Sequence, residues 1–197
     1  MKTLKSLLLV LILTVFASNM QANDWQWEID GAHSNISFTV NHFFNPIPGT
    51  FSNFDGTLIF NPEDAANTVI DVAVQVESIN TDVERRDNHL RSGDFFGIEE
   101  FPEMHFRSTD VRHVEGTNYV AVGQLTIKDV TREVEMPFEF LGVTDHLMRE
   151  DKLVAGLKGN LTLNRNDYGV GVDQWASTAV IGDEVNITIS LQVLKDK

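Results

Sequence analysis

The sequence predicts an all-β protein: an antiparallel barrel of about eight strands carrying one short helical lid segment. Three observations predict it. Apolar residues recur at every second position along most of the chain, turn-forming residues separate these runs, and helical spacing is confined to one charged segment between Asp82 and Phe96.

The first element is a leader. Lys2 and Lys5 precede the apolar run Leu7 to Ala17, and small or polar residues follow up to Ala22. That is the layout of a secretory signal peptide, with the cut expected after Ala22, so residues 1–22 form the leader and 23–197 a single domain. The run falls short of the roughly 20 apolar residues that span a bilayer. Met20 stands where a small residue is preferred, which leaves a retained anchor as the less favoured alternative. The chain has no cysteine, so neither a lipidated thiol nor a disulfide is available, and packing must supply the stability.

The net charge is −14, and loss of the leader removes two lysines and no acid, taking it to −16. A chain this acidic repels phosphate backbones and anionic head groups, which excludes nucleic acid and stable membrane insertion as its mode of action. A hydrophobic content of 42% is too high for disorder and ample for a core.

Strands follow in order. Ile36, Phe38 and Val40 alternate with Ser37, Thr39 and Asn41; Ile70, Val72, Val74 and Val76 alternate with Asp71, Gln75 and Glu77. Met104 and Phe106 oppose His105 and Arg107. Val134, Met136, Phe138 and Phe140 alternate with glutamates, and Val185, Ile187, Ile189 and Leu191 with Asn186, Thr188 and Ser190. Runs at 54–60, 119–127 and 153–163 complete the set. Asn45-Pro46 through Pro48-Gly49, Asn61-Pro62, Glu115 to Asn118 and Lys128-Asp129 read as turns between them. Short connections favour an up-and-down meander, and a sheet of this size with one apolar face closes into a barrel, which removes its edges.

The inward parity collects a candidate lining: Phe38, Val40, Phe54, Leu58, Phe60, Val72, Val74, Phe106, Leu125, Phe138, Phe140, Leu157 and Leu161. Gly56, Ala155 and Gly159 interrupt it. Large walls with gaps suit an elongated apolar ligand; equally, small residues accommodate large ones across a packed interior. Within the lid, Val83 and Leu90 lie seven positions apart on one helical face, which leaves Arg85, Arg86, Asp87 and Arg91 in water. Phe95 and Phe96 then close onto the barrel.

Six stretches in order carry a family resemblance: I-D-G-A-H-S-N-I-S-F-T-V-N-H at 29–42, G-T-F-S-N-F-D-G at 49–56, E-R-R-D-N-H-L-R-S-G-D-F-F at 84–96, F-P-E-M-H-F at 101–106, G-Q-L-T-I-K-D-V-T-R-E-V at 123–134, and R-N-D-Y-G at 165–169. On these the chain resembles the YceI-like family of bacterial periplasmic, lipocalin-like, polyisoprenoid-binding proteins over essentially all of 24–195. The resemblance implies an eight-stranded lipocalin-like barrel with a helical segment at one end, a tunnel for an isoprenoid or similar lipid-like chain, and a periplasmic location. Two positions depart from the family pattern. Asp129 stands in a turn where glycine is usual and is expected to tolerate a left-handed backbone, and Tyr168 replaces phenylalanine, adding a hydroxyl that needs a partner.

Candidate head-group contacts are His42, which shares the parity of Phe38 and Val40, together with Asn88, Arg91 and Arg165. For each, a structural role is the competing reading. The six histidines lack close ligand spacing, so no metal is expected; neither is a cofactor. No nucleophile elbow, H-E-x-x-H or phosphate loop is present, and the chain reads as a non-enzymatic carrier. Two rivals stand beside it: an enzyme on a lipid or quinone precursor using His42 as acid or base, and a stress or adhesion protein with a filled barrel. A polyisoprenoid or other lipid-like small molecule is the expected partner, with a homodimer left open.

Overall fold

The computed structural model describes residues 25–197; the leader and its cut after Ala22 lie outside the described residues. The chain forms β1 (Gln26–Ile29), β2 (Asn35–His42), β3 (Asn45–Phe51), β4 (Phe54–Ile59), β5 (Val69–Gln75), β6 (Ile79–Asn80), α1 (Glu84–Arg91), β7 (Glu103–Glu115), β8 (Asn118–Ile127), β9 (Val130–Asp145), β10 (Lys152–Asn164) and β11 (Ile181–Asp196). β1 and β2 are successive pieces of one bent stave, as are β3 and β4, and β5 and β6. The result is an eight-stave antiparallel barrel.

Its closure runs through the first stave. β1 pairs with β4 on one side (Trp27↔Leu58) and with β11 on the other (Glu28↔Leu194), while β2 continues along β11 (Phe38↔Ile187) and β3 along β2. The bend between β1 and β2 is held by Asp30, whose carboxylate accepts from Ala32 N, His33 Nδ1 and Gln192 Nε2. The first of the family stretches is therefore a corner brace.

Alternation along the staves matches the pleat. On β9 the glutamates face water while Phe138 and Phe140 are buried. The hairpin between β2 and β3 corrects the expected turn at 45–49. That stretch is strand, and the two-residue turn is Phe43–Phe44. Pro46 and Pro48 fit because both place the position of their missing N–H away from β2, on an edge that β6 covers only at Thr50 and Phe51.

At the end of the barrel holding β1 and the β7–β8 turn the interior is solid. Phe60, with no exposed surface, meets Tyr119 and Phe138 edge-on at centroid distances of 5.1 and 5.6 Å, and Phe140 packs beside it at 5.3 Å. Trp27, Leu58, Leu157 and Val193 complete this plug. Its two polar handles are satisfied: Trp27 Nε1 donates to Phe60 O at 2.9 Å and the Tyr119 hydroxyl to Pro62 O at 3.1 Å.

If Phe60 is the keystone of this plug, Phe60→Ala should cost about 3–5 kcal/mol. At roughly 2–4 °C per kcal/mol for a chain of this size, the thermal midpoint falls by about 6–20 °C. Glu133→Lys, on the outer face, should stay within about 0.5 kcal/mol. Comparable losses in the two melts would show the assigned faces to be wrong.

Candidate functional site

Beyond the plug the barrel is hollow. A cavity of about 230 Å³ occupies the other half, and no polar atom contributes to its surface. Ten of the fifteen expected lining residues form its wall: Phe38, Val40, Phe54, Val72, Val74, Phe95, Phe96, Phe106, Leu125 and Leu161. The other five, Leu58, Phe60, Phe138, Phe140 and Leu157, belong to the plug, so the interior is blind-ended and not a through tunnel. Parity correctly turns them inward but carries no information about height along the barrel axis.

What keeps this half open is where its rings lie. Phe38 lies flat against Gly49, its partner across the β2–β3 ladder, and Phe106 lies against Gly123; a Cβ on either glycine would overlap the ring. Each ring thereby covers backbone instead of reaching across the lumen. The expected gap residues do other work: Ala155 sits in the plug, and Gly56 allows close approach of β4 to the backbone of Asp71 and Val72. Sequence reasoning missed Gly49 and Gly123. For Gly49 the available signal was a phenylalanine facing a glycine in hairpin register; Gly123 is diagonal to Phe106, opposite Ser108, and gives no such signal.

The hollow end is roofed by three segments. The lid, α1 and the turns after it, turns Leu90, Phe95 and Phe96 onto the cavity. The charged residues of α1 are not simply wet. Asp87 is 6% exposed and accepts from Thr81 N at 2.9 Å and Thr81 Oγ1 at 2.5 Å. Arg86 donates to Thr81 Oγ1 and Thr81 O, and Arg91 to the carbonyls of Glu77 and Ile79. Val83 is exposed instead of sharing a buried face with Leu90.

A strap from Arg165 to Val180 forms the second segment. Arg165, 6% exposed, donates to the carbonyls of Val170, Gly171, Trp175, Ile181 and Gly182. Those five bonds engage all five guanidinium N–H groups, so none remains for a head group. The third segment is the β8–β9 turn, where Lys128, not Asp129, has the left-handed backbone (φ 56). Its ammonium donates to Gly169 O at 2.9 Å, tying turn to strap. Tyr168, buried beneath the strap, has its phenol pushed above the ordinary value, chiefly by burial.

The four head-group candidates thus separate. Arg165 and Arg91 hold backbone, Asn88 accepts from Arg91 Nη1 at 3.1 Å, and His42 is exposed beyond the rim, edge-on to Phe43 at 4.8 Å. His42 keeps the parity of Phe38 and Val40, but β2 overshoots the lumen. None of the four presents a polar atom to the cavity.

Lid and strap meet at Asp94. Its Oδ2 accepts from His89 Nε2 (2.9 Å), Trp175 Nε1 (3.2 Å) and Gln174 Nε2 (3.3 Å), while Trp175 packs against the rings of His89 and Phe95.

The model of the YceI-like domain matches residues 27–193. The chain belongs to the YceI-like family. A UPF0312 protein of Staphylococcus aureus strain N315 is 35% identical over 166 residues, spanning 83% of this chain and 94% of its own. Among solved structures, Burkholderia cenocepacia BcnA superposes with a TM-score of 0.75 at 23% identity, covering 85% of this chain and 99% of that one. A polyisoprenoid binding domain from Saccharophagus degradans, implicated in plant cell wall breakdown, superposes at 0.63 with 12% identity, over 85% and 97% of the two chains. In this YceI-like chain the stretches that carry the resemblance are largely structural: corner brace, lid bolts, roof turn and strap hub.

Two outcomes follow from this geometry. Gly49→Ala should force the Phe38 ring into the lumen, so uptake of an apolar fluorescent dye falls while the far-ultraviolet circular dichroism of the barrel is retained; unchanged uptake would mean the ring does not shape the cavity. The second concerns Asp94, whose carboxyl is held below the ordinary carboxylate value, first by the His89 hydrogen bond and then by Trp175. A depressed carboxyl favours the folded clasp at and above its ordinary value, and the contribution disappears as pH falls through the lowered one. Protection of the Trp175 indole N–H from exchange should therefore drop only below about pH 4. In Asp94→Asn it should be weaker throughout and no longer titrate in that window.

Proposed function

We propose that this protein is a periplasmic carrier that holds an amphiphile with a polyisoprenoid or similar long apolar tail inside the hollow half of the barrel. The observation that carries this reading is the wholly hydrocarbon surface of the 230 Å³ cavity. Water needs two to four polar partners to be held in such a space, and this wall offers it none. An apolar chain replaces that poorly bonded water at about 0.8 kcal/mol per methylene removed from bulk solvent, so a few branched five-carbon units offset the cost of association. Affinity then depends on the length and width of the tail, and the polar head is left at the rim.

Four further points support the carrier over its rivals. The polyisoprenoid binding domain of Saccharophagus degradans shares the fold. The leader layout of residues 1–22 supports export. The enzyme reading relies on His42 as acid or base, and His42 stands outside in solvent, while His105, which borders the cavity, has its Nε2 engaged by Asp71 Oδ1 at 2.6 Å. A wholly filled barrel does not account for the rings laid against Gly49 and Gly123.

The test is thermal and analytical. Protein stripped of lipid by organic extraction should melt lower than protein given a long prenyl alcohol, since a ligand of the folded state alone stabilises it by about 2.7 kcal/mol at a hundred times Kd. Native mass spectrometry of protein taken from its own periplasm should show a bound apolar compound. No melting shift at saturating prenyl alcohol, together with no co-purifying lipid, would remove the carrier reading.

A further inference from the structure

At the rim of the hollow end the β2–β3 hairpin carries two local costs, only partly offset by the contact of Phe43 with the His42 ring and its hydrogen bond to Val180 O. Phe44 is 97% exposed and Phe43 56% exposed, side by side in a two-residue turn. Phe43 also has a left-handed backbone (φ 53), which glycine or asparagine adopts easily and a bulky aromatic rarely does. Strain and exposed apolar surface at a single point indicate a site used by something outside the chain.

The surroundings identify its chemistry. From Gly31 to Phe54 there is no Asp, Glu, Lys or Arg, although 22% of the chain is charged and its net charge is −14. The hairpin is thus an uncharged, aromatic-tipped projection from an acidic body. Its free edge is blunted by Pro46 and Pro48, which lack the donors an added strand requires, so pairing with another polypeptide is disfavoured along that edge. The tip is also continuous with the lumen. Phe43 N donates to Val180 O at 2.8 Å, and the next residue, Ile181, pairs with His42 and lies on the cavity wall with Val40.

We propose that Phe43 and Phe44 dock the hollow end of the barrel onto an uncharged lipid surface, where a tail passes between bilayer and lumen. This rests on the carrier reading for its purpose, though not for its test. Exposed Asp129 and Asp173 sit on a turn and the strap at the same end and, with the net charge of −14, repel an anionic surface, whereas Asp167 is paired with Arg132 at 3.7 Å. Binding is therefore weak, reversible and selective for neutral lipid.

The experiment is flotation of the ligand-free protein with phosphatidylcholine vesicles, and with vesicles containing phosphatidylglycerol, for wild type, Phe44→Ser and the double variant Phe43→Asn/Phe44→Ser. Partition of wild type into neutral vesicles should fall about tenfold for each ring lost, or about 100-fold in the double variant. Anionic lipid should weaken binding and added salt should restore it, the reverse of a basic peripheral protein. Equal flotation of the three proteins, no flotation of wild type, or tip-dependent self-association in sedimentation without vesicle binding would each overturn the proposal. Loading of a dansyl-labelled prenyl alcohol from cyclodextrin separates the two readings. Loading without flotation sinks the docking and leaves the carrier; tip-dependent flotation without loading sinks the carrier and leaves the docking.

Discussion

Closure of the sheet through β1, paired at once with β4 and β11, fixes the circumference of the barrel, and the rest of the molecule depends on how that fixed interior is filled. Eight staves enclose a space that side chains can just fill or that can hold one small ligand. This chain fills one half and leaves the other hollow. In one half Phe60, Tyr119, Phe138 and Phe140 converge on the axis, with centroids 5.1 to 5.6 Å from that of Phe60. In the other half rings of the same size lie against glycine on the wall. The difference between plug and lumen is thus set less by side-chain volume than by where each ring is directed: Phe138 faces Gly159 across the ladder yet fills the plug, while Phe38 and Phe106 lie over Gly49 and Gly123 on the wall.

A hollow end needs a roof, and the sheet does not supply one, because the third stave leaves β7 after Gln75 and continues as the short β6 beside β3. Lid, strap and β8–β9 turn cover the end, and irregular backbone of this kind has carbonyls that no ladder satisfies. The side chains of Arg86, Arg91, Lys128 and Arg165 satisfy them. This explains how a roof rich in charge covers a lumen without polar surface: the hydrogen-bonding groups are turned outward from the cavity and used on backbone. Replacing such a group leaves buried carbonyls bare, each costing about 1–3 kcal/mol, so these residues are held in place by structure whatever the ligand.

The strands were legible because a half-buried pleat imposes its period of two on the residues themselves, as β9 does with Phe138 and Phe140 against its glutamates. The lid was legible as a charged segment ending in Phe95 and Phe96. Height along the axis was not legible: Phe38 and Phe138 have the same parity and chemistry, yet one lines a cavity and the other fills a plug, and only register places them. Charged residues misled for a related reason. Asp87 and Arg165 satisfy backbone distant from the pattern in which they were read, and solvent is the default assumption for an isolated charge. Pro46 and Pro48 read as turn because proline usually punctuates strands, whereas a free edge tolerates it at alternate positions. The family stretches located the fold well, and in the structure what they carry is mostly bracing.

The distribution of charge completes the physical picture. A lumen that recognises only apolar shape has little means of rejecting other hydrophobic molecules by hydrogen bonding, so discrimination must come from width, length and the route of entry. An acidic outer surface keeps the molecule soluble and apart from anionic partners, while the one uncharged hairpin, Gly31 to Phe54, adjoins the rim of the cavity. On the docking proposed for the hairpin tip, the surfaces from which the lumen is loaded are those that tolerate two exposed phenylalanines and lack strong negative charge. Under that proposal, selectivity that the cavity wall does not provide is exercised at the approach.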